Sequence, residues 1–182
     1  MSKKIEEFSS TLIHQIDTLS TIASAFSNFA EMPVQESELL DMVKITRLGM
    51  DIFTEKYIVF EAPNEPLFAR LDRTQLIRIL TNLVKNAIQA CDEVLEPSVV
   101  VNLQKKNDKV CIRVTDNGHG ITQEHIDKIF EPKFTTKTSG MGLGLAMVKN
   151  IVETYDGQIE VESSTSKGTS FFVWLPFVNS TA

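Results

Sequence analysis

The sequence is short of cysteine, of excess positive charge and of long apolar runs, and each shortage removes a class of function. Its two cysteines, Cys91 and Cys111, lie in apolar contexts without metal-ligand spacing. They read as reduced core thiols of a cytoplasmic protein. Lysine and arginine number 18 against 24 aspartates and glutamates, for a net charge of -6. That balance excludes the basic face of a general nucleic-acid binder. It leaves room for a small anionic ligand, because a few local donors hold a phosphate inside an acidic protein. No apolar run approaches the length that spans a bilayer. Met1-Ser2-Lys3-Lys4 leads into an amphipathic helix rather than a secretory signal. There is no internal repeat and no low-complexity segment.

What remains is an ordinary globular composition. The 182 residues, 42% hydrophobic and 23% charged, suffice for one domain with a proper core plus an appendage. The appendage is a heptad over residues 5–30. Ile5, Leu12, Leu19 and Phe26 form one seam position, and Phe8, Gln15, Ile22 and Phe29 the other. Ile16, Ala23 and Ala30 widen the stripe, which suits a helix with several helical neighbours, as in a four-helix bundle. The stripe calls for a sister helix, a second chain or both; the alternative is that it folds back on the following domain. Glu31-Met32-Pro33 ends it.

From Glu36 the chain reads as a compact α/β domain. Leu39, Leu40, Val43, Ile45 and Leu48 predict a helix ending before Phe53, and Tyr57 to Phe60 a short strand. Asp72-Arg73-Thr74-Gln75 predicts a capping-box helix start, with the helix running to about Val94 before Pro97. Ser98–Leu103 and Val110–Thr115 alternate as strands around a turn at Lys106-Asn107-Asp108. Residues 117–139 read as a long binding loop or lid. A helix is expected from Met141 to about Thr154, then strands over Gln158–Glu162 and Thr169–Leu175 joined through Lys167-Gly168. The expected architecture is an α/β sandwich, a mixed and largely antiparallel sheet under helices.

Three features carry chemistry. The helix opening at Asp72 is expected to bury Leu76, Ile79, Leu80, Leu83, Ala87 and Ile88, and carries Arg78, Asn82, Asn86 and Gln89 on its other face. Asparagine is a poor helix former, so this stripe is either a solvated face or a polar wall looking into a ligand site. In the second case the Asn86 amide oxygen suits a magnesium ion that bridges nucleotide phosphates. Asp116, at a strand end, enters Asn117-Gly118-His119-Gly120. A carboxylate there can accept from the exocyclic amine of adenine while glycines let backbone approach the ring; Asp-Asn-Gly is also a common turn. Gly140, Gly142 and Gly144 open a helix, whose N-terminus offers donors to phosphate, although Gly140 also reads as plain loop punctuation.

The order and separation of Asn82-Leu-Val-Lys-Asn86, Asp116-Asn-Gly-His-Gly120, Phe130-Glu-Pro-Lys-Phe134, Gly140-Met-Gly-Leu-Gly144 and Gly168-Thr169 resemble the N, G1, F, G2 and G3 boxes of sensor histidine kinases. These belong to the superfamily that also holds gyrase-type ATPases and heat-shock chaperones. The resemblance covers residues from about 36 to 177. Gln15-Ile16-Asp17 and Phe26-Ser-Asn-Phe-Ala-Glu-Met-Pro33 resemble the second helix of the dimerisation and phosphotransfer hairpin in nitrogen-regulation-type kinases.

The resemblance implies a two-layer Bergerat-type ATP-binding fold over residues 34–182, with a partial dimerisation hairpin over residues 1–33. It implies ATP and magnesium as ligands, Asn86 as the magnesium ligand and Asn82 beside the phosphates. Asp116 would read adenine, with Gly118, Gly120 and Ile121 shaping the pocket and Thr169 near the base. The lid would run from Gly118 to Ser139, anchored by Phe130 and Phe134, with Lys137 as a phosphate contact and Thr136 as a further ATP contact. Gly140, Gly142, Leu143, Gly144 and Leu145 would surround the phosphates. Lys85 is a further contact or a solvated charge, as is Lys133. Hydrolytic members of the superfamily carry Glu where this chain has Asn82, and an amide is no general base toward water; transfer to a protein side chain is therefore expected over hydrolysis.

The resemblance also implies a gap. His14, His119 and His125 are the three histidines, and none stands in an acceptor context. The first hairpin helix, its histidine and any membrane or sensor segment are expected to be absent, as in a chain cut from a longer protein. The implied partners are a response regulator and a second copy of the chain through the N-terminal helix. Two other functions stay open: a nucleotide-binding regulatory module without phosphotransfer, and a protein-serine kinase of the anti-sigma type, which lacks the hairpin.

Overall fold

The computed structural model describes residues 37–132, 134 and 142–179. The heptad of residues 5–30 lies outside the described residues. A first strand, β1 (Glu38–Asp41), precedes helix α1 (Met42–Met50). Strands β2 (Ile58–Glu61) and β3 (Phe68–Leu71) lead to the long helix α2 (Arg73–Ala90). The hairpin β4 (Val99–Lys106) and β5 (Lys109–Asp116) follows, then a one-turn helix α3 (Gln123–Ile126). Helix α4 (Gly144–Thr154) and the hairpin β6 (Gln158–Ser164) and β7 (Gly168–Pro176) complete the domain.

Five strands make one sheet in the order β2-β4-β5-β7-β6, with β2 parallel to β4 and every other pair antiparallel. β1 and β3 pair separately as a two-stranded antiparallel sheet. This is the expected mixed, largely antiparallel arrangement under helices. One face of the large sheet is continuous apolar surface: Val101 and Leu103 of β4 stand opposite Val114 and Ile112 of β5, which stand opposite Phe171 and Val173 of β7. All six are buried. On to this face pack α2, through Leu76, Ile79, Leu80, Leu83, Val84 and Ala87, and α4, through Val148, Ile151 and Val152. Val84 replaces Ile88 in the expected buried set, because Ile88 is only half-buried.

Several boundaries differ from expectation. Leu39 and Leu40 belong to β1, not to a helix. The Asp41 carboxylate accepts from Val43 and Lys44 N–H at 3.1 and 3.2 Å, which caps α1 and fixes its start. Helix α2 stops at Ala90, short of Val94, where the Ala90 carbonyl accepts from His119 N–H at 3.1 Å. The capping box at its start is half formed. Asp72 accepts from Thr74 and Gln75 N–H at 2.7 and 3.1 Å, but Asp72 N–H donates to the Tyr155 hydroxyl, 3.1 Å away, instead of to Gln75. The Gln75 side chain is buried instead. Helix α4 starts at Gly144 rather than Met141, β6 and β7 each extend past their expected ends, and the β4–β5 turn is Asn107-Asp108, with Asn107 at φ 54°.

Candidate nucleotide site

The site is built where β5 ends and β7 begins. Asp116, the last residue of β5, is buried and stands directly opposite Thr169 of β7. Thr169 in turn stands opposite Ser163 of β6. Directly opposed residues share a face, so a carboxylate and two hydroxyls form one polar row at the rim of the apolar face. Asp116 Oδ1 accepts from Gly118 N–H at 2.9 Å. Ser163 Oγ accepts from Ile121 N–H at 2.8 Å, donates to the Gly168 carbonyl at 3.0 Å and lies 2.9 Å from Thr169 Oγ1.

Close packing explains the glycines. A Cβ on Gly118 would run into the Ala90 carbonyl at the end of α2, and one on Gly120, at φ 72°, into the Ser164 carbonyl. One on Gly168, at φ 89°, would run into the Asp116 carbonyl. The 117–121 segment is thus clamped between α2 and the β6–β7 turn, and Ser166 N–H donates to the His119 carbonyl at 2.8 Å across that clamp. Asn117 holds the other side: its amide oxygen accepts from Ser98 N–H at 2.8 Å and its Nδ2 donates to the Glu96 carbonyl at 2.8 Å. The Cys91 thiol lies 3.5 Å from the same oxygen. Burial, and next the Asp116 carboxylate, push that thiol above its ordinary pKa.

The helical wall meets the second glycine cluster. Asn82 Nδ2 donates to the Arg78 carbonyl at 2.8 Å, and its Oδ1 would sit 2.8 Å from a Cβ on Gly144. Asn86 is half-buried one turn further along the same face, and Lys85 is exposed. Gly142 has φ 64°, and α4 begins after Leu143 with no side-chain cap among the described residues. Its first N–H groups and the positive end of its dipole are therefore available to an anion. Leu143 and Leu145 are half-buried beside them. Phe130 meets Phe171 edge-on at 6.4 Å between ring centres, with the Lys149 ammonium 6.0 Å from its ring. Phe134 meets His125 edge-on at 5.3 Å. Thr136, Lys137 and Gly140, like Lys133, lie outside the described residues. A cavity of about 430 Å³ opens against α1, lined by Asp41, Lys44 and Arg47 among others, and shares no residue with these motifs.

The structure therefore brings together Asp116, Gly118, Gly120, Ile121 and Thr169 at one end, and Asn82, Gly142 and Gly144 at the other. Sequence reasoning missed Ser163, Asn117 and Tyr155. Only Asn117 carried a signal, its place between Asp116 and Gly118, and that also reads as a turn.

Residues 71–179 match the family described as histidine kinase-, DNA gyrase B- and HSP90-like ATPase, and the chain belongs to that family. Within it, the chain is 39% identical over 159 residues to the sensor histidine kinase ZraS of Escherichia coli, covering 77% of this chain and 34% of the relative. It is 31% identical over 167 residues to the nitrogen regulation protein NtrY of Azorhizobium caulinodans, covering 87% of this chain and 22% of the relative. The chain thus spans a minor part of the curated relatives it matches. Among solved structures, the catalytic domain of histidine kinase ThkA superposes with a TM-score of 0.69 at 34% identity, over 78% of this chain and 95% of that one. ThkA in complex with the response regulator protein TrrA superposes with a TM-score of 0.74 at 28% identity, over 92% of this chain and 50% of that one.

Proposed function

We propose that the chain binds ATP and is the phosphoryl-donating part of a two-component sensor histidine kinase. The observation that carries this reading is the register that sets Asp116 directly opposite Thr169, with Gly168 packed on the Asp116 backbone. Adenine takes the Asp116 end, its exocyclic amine donating to the carboxylate. The triphosphate runs toward Asn82, Gly142, Gly144 and the uncapped start of α4, where backbone N–H groups neutralise it. Asn86 fits a magnesium site: its amide makes no hydrogen bond among the described residues and offers the hard oxygen that magnesium takes alongside phosphate oxygens. Bound there, magnesium would spread the negative charge of the phosphates.

In transfer, a histidine imidazole nitrogen bonds to the γ-phosphorus as the bond to the ADP oxygen breaks. Asn82 stands where a general base for water would be needed, and an amide takes no proton at neutral pH; that favours a histidine acceptor over hydrolysis. Of the two histidines among the described residues, His119 Nδ1 is 2.6 Å from the Gly120 carbonyl and His125 packs on Phe134, so neither sits in an acceptor setting. The acceptor is on a separate helix, residues 1–33 supply the second helix of its hairpin and the dimer contact, and a response regulator receives the phosphoryl group. The test is incubation with γ-labelled ATP, alone and with a supplied first-helix domain carrying His followed by an acidic residue. Label appears only on the supplied histidine. Robust hydrolysis by the chain alone would move it to the gyrase-like branch, and stoichiometric label on His14 would make it self-sufficient.

A further inference from the structure

The Ser163 hydroxyl has three hydrogen-bonding neighbours. A serine Oγ has one proton and two lone pairs. One lone pair accepts from Ile121 N–H at 2.8 Å, and the proton goes to the Gly168 carbonyl at 3.0 Å. That carbonyl has little freedom to turn away, because Gly168 is held at φ 89° with its α-carbon against the Asp116 backbone. Either hydroxyl can donate in the 2.9 Å contact with Thr169 Oγ1; with the Ser163 proton on the Gly168 carbonyl, it is Thr169 that donates, to the second lone pair of Ser163. Thr169 also has a single proton. With that proton turned toward β6, Thr169 keeps only lone pairs for its other side, where Asp116 is its cross-strand neighbour.

We propose that Ser163 is a positioning residue that makes Thr169 an acceptor, so that the base end of the site selects a purine bearing an amine over one bearing a carbonyl. The proposal rests on the ATP reading of the site. Asp116 Oδ1 already accepts from Gly118 N–H, and a carboxylate has no proton to offer a carbonyl. A ligand amine can donate to both. A carbonyl in its place faces two acceptors, and a site built around a hydrogen bond rejects the analogue that cannot make it far more strongly than shape alone would. Ser163 thereby acts on base choice without touching the base.

Calorimetric titration of the full chain with ATP and with inosine triphosphate, which has a carbonyl where adenine has its amine, tests this. The unsubstituted chain should prefer ATP by more than about tenfold. Ser163→Ala releases the Thr169 proton, which is then free to donate to a carbonyl, and the preference should fall by about fivefold. Ser163→Thr keeps the hydroxyl and the preference. Loss of the Ile121 tether alone would weaken both nucleotides alike, so an unchanged ratio in Ser163→Ala overturns the proposal and leaves Ser163 a tether. Should Ser163→Ala fail to fold, Thr169→Val decides: it should weaken ATP and spare inosine triphosphate, and equal losses overturn the proposal. An unsubstituted chain that binds neither nucleotide overturns the ATP reading itself.

Discussion

The proposed base end of the site is held by strand register, whereas the proposed phosphate end stands on helices. Asp116, Thr169 and Ser163 are side by side on three neighbouring strands, with Asp116 accepting from Gly118 N–H and Ser163 donating to the Gly168 carbonyl. At the other end Asn82 Nδ2 donates to the Arg78 carbonyl, while the Asn86 side chain makes no hydrogen bond among the described residues. The start of α4 has no side-chain cap among the described residues. Register is all-or-none, since slipping one residue sends every side chain to the other face. The proposed base end is thus pre-organised, so that a base bound there would need little rearrangement. On the proposed reading, helix-borne amides and an open helix start would have their partners supplied by the ligand and its metal.

This contrast ranks the substitutions. The largest effect is expected at Gly168→Ala, where the new Cβ meets the Asp116 carbonyl at a positive φ. Strain and overlap together should lower stability by about 3 kcal/mol or more and abolish ATP binding. A thermal melt and a titration check both, and near-normal values in the two would mean that the β6–β7 turn is not what seats Asp116. Next comes Asp116→Asn, which exchanges a charged acceptor for an amide. It should weaken ATP by roughly 1.5–3 kcal/mol, about tenfold or more, with little change in the melt. Unchanged affinity would remove Asp116 from base recognition. Asn86→Ala should cost about fivefold in the presence of magnesium and almost nothing in its absence. Equal losses with and without the metal would make Asn86 a packing residue and erase the contrast between the two ends.

The residues legible in the sequence were those whose type is itself a constraint. Glycines at Gly118, Gly120 and Gly144, asparagines inside a helix and an aspartate closing a strand are odd choices for packing, so each stood out. The β4–β5 and β6–β7 hairpins were legible because alternation and turn residues are local signals. The pair β1 and β3 was not. Each has four residues, and the spacing of Leu39, Leu40 and Val43 suits a helix as well as a strand. Tyr155 was invisible because it meets Asp72 N–H 83 positions away, taking a bond that the local pattern assigned to Gln75. Ser163 was invisible for a similar reason: a serine near a strand end is unremarkable until its neighbours on β7 and in the 117–121 loop are known.

The smallest effect on binding is expected on the other face of the same strand. Alternation along β5 turns Asp116, Val114 and Ile112 toward the helices and Cys111 the other way, between Gln104 and Trp174 on the adjacent strands. Cys111 is nonetheless fully buried, and burial pushes its thiol up to about 11 although Arg113 pulls the other way. In the unfolded chain the thiol ionises near its ordinary value, roughly 8.5. Below that value the neutral thiol suits both states and its contribution to stability is intact. As pH rises toward about 11, the unfolded chain gains thiolate that the fold resists, and stability falls. Cys111→Val keeps an apolar side chain suited to a strand and removes this proton. The variant should therefore lose less stability than the parent between neutral pH and the high-pH range, by on the order of 1 kcal/mol. Comparing the pair cancels the lysines and tyrosines that also titrate there. Denaturant unfolding of both chains at several pH values gives the difference, and an ATP titration at neutral pH gives the control. Parallel stability curves would mean that the thiol reaches water in the fold. A changed ATP affinity would mean that the two faces of β5 are coupled and that the base end is less insulated by its register than the Asp116–Thr169 pairing implies.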